Sequence, residues 1–161
     1  MKKFISLLLT PVLQKHWFAD LTFASVRFVC GMLLSLEFGA SKFGVPWTPD
    51  SQNLSLLEVS AWFPEDVAAY GGVFAIAPIF FAWMGAFSEA VGGVLFALGL
   101  KTRLASFLII CTMLVAIFMQ KWNNGTWAIL PAMSFLWVAI YHLYFGSGRF
   151  GLDYLISKSL K

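Results

Sequence analysis

Four long apolar runs dominate the chain, at about residues 20–43, 71–100, 104–120 and 127–145. Each is long enough for a helix that crosses the ~30 Å hydrocarbon core of a bilayer. The first carries polar and small residues at helical spacing: Arg27, Gly31, Ser35, Phe38 and Lys42 share one stripe, with Val29, Leu33 and Leu36 off it. Such a stripe predicts a face turned toward protein, because lipid satisfies no polar group. The second run holds Glu89 within the glycine-rich GAFSEAVGG and Pro78 near its start, where a kink is expected. The third is the most uniformly apolar, and an Asn-Gly turn separates it from the fourth.

Between the first two runs, residues 44–70 form a long connection with Asp50, Glu58, Glu65 and Asp66 and no Lys or Arg. Its LSLLEVSAW stretch, residues 54–62, predicts a short surface helix, and Trp47 and Trp62 suit the headgroup belt. The amphipathic residues 1–17 and the tail after Gly146 read as interfacial segments. The expected fold is therefore all-α: a four-helix transmembrane bundle with short interfacial flanking helices, residues 1–161 forming one domain.

Composition agrees. The chain is 60% hydrophobic and 12% charged, against about 45–50% and ~25% for a soluble domain. The net charge of +3 points to membrane orientation rather than nucleic acid, since the basic residues flank apolar runs. Lys2, Lys3, Lys15, Lys101, Arg103, Arg149, Lys158 and Lys161 fall on one side of a four-span chain, so both termini are expected in the cytoplasm, with the lipid bilayer as the first partner. A short apolar stretch ending at Pro11, with no small-residue cleavage site, argues against a cleaved signal peptide. Cys30 and Cys111 lie in separate apolar runs and read as small hydrophobes. No metal-ligand spacing, P-loop or nucleophile triad is present.

An acid inside a bilayer costs roughly 2.5–3.5 kcal/mol on insertion scales, so Glu89 needs compensation. Counting helical rise from the expected cytoplasmic ends brings Arg27 near its level and predicts an Arg27–Glu89 ion pair. That pair would lock two helices together or hold a proton-active carboxylate. His142, beside Tyr141, reads as an interfacial histidine among belt aromatics or as a relay of a proton to Glu89. Glu37 and Lys42 read as charges near the outer face, snorkelling or lining an outward cavity.

Four pieces, in order, resemble the DoxX family of small four-span bacterial membrane proteins. They are RFVCG at Arg27 with the Gly39, Lys42 and Phe43 that end the first span, SEAVGGVLFALGLKTRLAS around Glu89, the Asn-Gly turn, and the tail GSGRFGLDYLI. The resemblance implies a bacterial inner-membrane protein. One branch, DoxD, is similar to the quinone-reducing membrane subunit of thiosulfate:quinone oxidoreductase, and a distant eukaryotic branch includes a cargo receptor. It points to a redox-complex subunit with a protein partner or a second copy of itself, and to a quinone as the cofactor class. The pocket would lie between the first, second and fourth spans, with Glu89, Arg27 and His142 as reactive groups and Tyr141, Gly93 and Gly31 along its wall. The alternative is a non-catalytic scaffold or small-molecule carrier.

Overall fold

The computed structural model describes residues 10–159. Lys2, Lys3 and Lys161, with most of the expected leading interfacial segment, lie outside the described residues. The described chain forms helices α1 (Trp17–Leu33), α2 (Trp62–Ala68), α3 (Val73–Ile76), α4 (Pro78–Leu98), α5 (Thr102–Val115), α6 (Thr126–Phe145) and α7 (Leu152–Ser159). A π-helical segment extends α1 over Leu34–Gly39, and another extends α5 over Ala116–Lys121. With these extensions, four helices are long and apolar enough to cross a membrane. Spatially, α4 stands between α1 and α5, α6 packs along α5, and α1 meets α6 to close the bundle.

Small residues set the α1–α4 crossing. A methyl on Gly31 would lie 2.5 Å from the Gly93 carbonyl oxygen and 2.7 Å from the Ala97 nitrogen, and one on Gly39 would lie 2.4 Å from the Ala90 backbone. Only glycine admits this approach. The helices therefore run antiparallel with Gly31 level with Gly93 to Ala97 and Gly39 level with Ala90. Ser35 fixes the same register by donating its hydroxyl hydrogen bond to the Ala90 carbonyl at 2.6 Å. The expected stripe is inside at Arg27, Gly31 and Ser35, whereas Val29, Leu33 and Leu36 are exposed on the lipid side.

Two local expectations are corrected. Pro78 does not kink a long span; it occupies the first turn of α4, where its missing N–H leaves no hydrogen bond unmade. The preceding residues break at Gly71 and Gly72, both with positive φ, and again at Ala77. Residues 54–60 are not helical. Their backbone pairs with the chain leaving α1, Gly44 N–H to the Glu58 carbonyl at 2.8 Å and Leu57 N–H to the Gly44 carbonyl at 2.7 Å, and the helix starts only at Trp62.

One end of the bundle, here the terminal end, is tied by the tail. Asp153 accepts from the Lys101 and Thr102 N–H groups at 2.7 and 2.8 Å, capping α5 from fifty residues away. Arg149 pairs with buried Asp20 at 2.8 Å, and Val12 N–H donates to the Phe145 carbonyl. The described flanks of both termini thus share one end, opposite the 44–70 connection, here called the loop end.

The crossing makes a prediction. Gly93→Ala should destabilise the protein by ~1–3 kcal/mol through overpacking, while Gly85→Ala, whose methyl meets nothing nearer than Phe63 at 3.6 Å, should be tolerated. Unfolding in mixed micelles, followed by circular dichroism, would distinguish them.

Candidate functional site: a buried ion pair between two chambers

Glu89 sits mid-way along α4, buried, and its partner is Lys42: Nζ lies 2.5 Å from Oε2. Lys42 stands just beyond the π segment of α1, and its ammonium also lies over the Phe63 ring, 5.2 Å from the centroid. The expected Arg27–Glu89 pair is not formed. The glycine register explains this: Arg27 is level with Gly99, whose added methyl would lie 2.8 Å from the guanidinium. Glu89 is ten residues away along α4, about 15 Å at 1.5 Å per residue. Arg27 instead donates to the carbonyls of Ser147 and of Phe150, the latter at 3.0 Å. Counting from the helix ends failed because those ends are not level: Arg27, well inside α1, lies beside Gly99 just past the end of α4, so the start of α1 runs beyond α4.

The pair separates two chambers. The larger, about 260 Å³, lies between α4 and α5 beneath α2 and α3, with Phe63, Tyr70, Phe74, Phe81, Met84 and Leu108 among its walls. Cys111, exposed on α5, also lines it, and the buried Ser88 hydroxyl on its wall has no hydrogen-bond partner among the described residues. Burial, together with the charges of Asp66 and Glu89, pushes the Tyr70 hydroxyl above its ordinary pKa, so it stays protonated and able to donate at neutral pH. The smaller chamber, about 170 Å³, lies between the π end of α1, the π end of α5 and α6, lined by Leu34, Phe38, Met113, Lys121, Ala132 and Phe135. Lys42, Glu89, Ala116 and Gln120 belong to both. Each π segment thus contributes to the partition, in keeping with the placement of π-bulges at functional positions.

The structure distributes the other residues singled out in the sequence differently. Glu89 lines both chambers; Arg27, His142, Tyr141, Gly31 and Gly93 line neither. Gly31 and Gly93 face each other at the helix crossing. His142 is buried near the terminal end between Phe96 and Phe23, at ring distances of 5.1 and 6.1 Å, and its Nδ1–H donates to the Val138 carbonyl at 2.9 Å. Tyr141 is exposed on the outer face of α6, and Glu37 is exposed on α1. Lys42 was the residue whose role sequence counting missed; its spacing on the polar stripe was the available signal. The third span, left out of the expected pocket, forms a wall of both chambers.

A family model, described as DoxX, matches residues 39–122. The chain belongs to the DoxX family. No curated protein and no solved structure matches it. The matched segment contains every residue lining the larger chamber, including both members of the ion pair, whereas Arg27 and its carbonyl partners lie outside it.

Removing one member of a buried pair strands the other, at a cost of ~3–5 kcal/mol. Lys42→Met should show that loss, and Lys42→Met with Glu89→Met should recover most of it. Arg27→Met combined with Glu89→Met should be additive to within ~0.5 kcal/mol, as for residues with no shared partner. Denaturant titration of the two cycles checks the assignment.

Proposed function

We propose that this DoxX-family protein is the small membrane arm of a redox complex and binds a quinone-type lipophile in the larger chamber, next to the Lys42–Glu89 pair. The observation that carries the reading is an apolar, aromatic-walled chamber with an intramembrane ion pair at one side. Ionisable groups held inside a membrane bundle mark functional positions by default. Small-molecule sites combine such apolar walls with a few placed polar groups. Here Lys42, Glu89, Ser88 and the Tyr70 hydroxyl are those groups. The ring lies flat among Phe63, Phe74 and Phe81, its carbonyl accepts from Tyr70 or Lys42, and Glu89 is the carboxylate available for proton exchange. Electrons come from a partner oxidoreductase anchored by the chain.

The basic residues at the terminal end, Lys15, Lys101, Arg103, Arg149 and Lys158, support an orientation with both termini in the cytoplasm of a bacterial inner membrane. A second reading, a non-catalytic anchor for a protein partner, draws on Leu56, Leu57 and Trp62, exposed in the loop-end connection.

The test uses purified protein in lipid nanodiscs and short-chain benzoquinones and naphthoquinones. Saturable binding should weaken ~10-fold or more, about 1.4 kcal/mol, in Gly85→Leu, which fills the chamber and keeps both members of the ion pair, while Tyr141→Phe leaves it unchanged. No saturable binding, or binding indifferent to Gly85→Leu, rejects the ligand reading; a soluble protein co-purifying with quinone-inert chain favours the anchor.

A further inference from the structure

The two chambers differ in a way that assigns them different contents. In the smaller one the charges do not cancel: Lys42 and Lys121 face one carboxylate, Glu89, which is already paired with Lys42. No carboxylate among the described residues pairs with Lys121. Lys121 is half-buried beside exposed residues, so its ammonium needs water on the chamber side or at the loop end, and the chamber it lines has a polar, charged mouth. The chamber also reaches the loop end. Lys121 closes the π segment of α5 and is followed by Trp122–Asn124, all exposed, and Pro131 lies in the early turns of α6. The larger chamber has no second cation, and its remaining walls are mostly aromatic and aliphatic.

We propose that the smaller chamber is a water-filled inlet that joins the Lys42–Glu89 pair to the aqueous phase at the loop end, while the larger chamber on the other side of the pair is dry. The inlet has room for several water molecules. It gives the pair contact with bulk protons from one side of the membrane only, across Gln120 and beside Lys121, and Glu89 becomes the boundary between water and an oily pocket. Irregular helical backbone at membrane depth is tolerated where it lines such an aqueous space, which fits the π segments on either side of the inlet. The inference is independent of the quinone reading, since an inlet can be wet whether or not the larger chamber holds a ligand.

The experiment places single cysteines in a Cys30→Ala, Cys111→Ala background in proteoliposomes and labels them with a membrane-impermeant anionic thiosulfonate, whose charge suits the lysine-lined chamber. Ala132→Cys, on the inlet wall, should react from the loop-end side within ~10-fold of the exposed Asn124→Cys, whereas Ala139→Cys, in the apolar core, should stay unlabelled. Native Cys111, on the wall of the larger chamber, should react with a lipid-soluble maleimide and not with the impermeant reagent. Water-edited solid-state NMR of the unaltered protein in lipid gives the second readout: Ala132 and Gln120 should receive water magnetisation rapidly, Ala139 and Gly85 slowly. An unreactive Ala132→Cys beside a reactive Asn124→Cys, or slow water transfer to Ala132 in the unaltered protein, overturns the inlet. Labelling of Cys111 by the impermeant reagent overturns the dry–wet division.

Discussion

Charge inside hydrocarbon must be answered by protein, and the fold is largely a set of such answers. Glu89 is answered by a countercharge, Lys42. Arg27 is answered by carbonyl oxygens of the tail. Asp20 is answered by Arg149, and Asp153 by the first N–H groups of α5. Each solution joins segments far apart in sequence, so the polar groups that seem least suited to a membrane are the ones that specify how the four helices assemble. Apolar packing, through Phe96, Ile109, Phe135 and their neighbours, fills the space between them without choosing a register. The glycines and Ser35 at the α1–α4 crossing make that choice.

The candidate site follows from the same rule. An acid and a lysine that needed each other were brought to the loop-end half of the bundle, and two π segments beside them widen the packing. The result is a charge pair with unlike surroundings on its two faces: aromatic walls toward α2 and α3, a surplus of positive charge toward α6. A pair that only riveted helices together would be expected among close-packed side chains, and this one borders a cavity on each face.

Much of the architecture could be read from the chain itself. The four spans, the buried stripe through Arg27, Gly31 and Ser35, the Asn-Gly turn and the short amphipathic tail follow from periodicity and turn chemistry, which are local properties. The partner of Glu89 was not legible, because it depends on the relative axial shift of two helices. That shift is decided by contacts such as Gly39 against Ala90, and hydropathy carries no information on it. Taking the start of α1 as level with the end of α4 was enough to give the acid the wrong basic neighbour. The chambers were illegible for a related reason: they arise where helices fail to close against one another, and the π segments that help to create them have no strong signature in composition.

The Arg27 clamp also says something about order of events during synthesis. The arginine enters the membrane with the first helix, yet its carbonyl acceptor at Ser147 follows 120 residues later. Until the last helix has inserted and the chain has turned back under it, that guanidinium has to be held by water, headgroups or the insertion machinery. The bundle is therefore latched late: the turn that follows the fourth span supplies what the first helix lacks, and a chain cut before Ser147 would carry a permanently unmet charge on an otherwise finished set of spans.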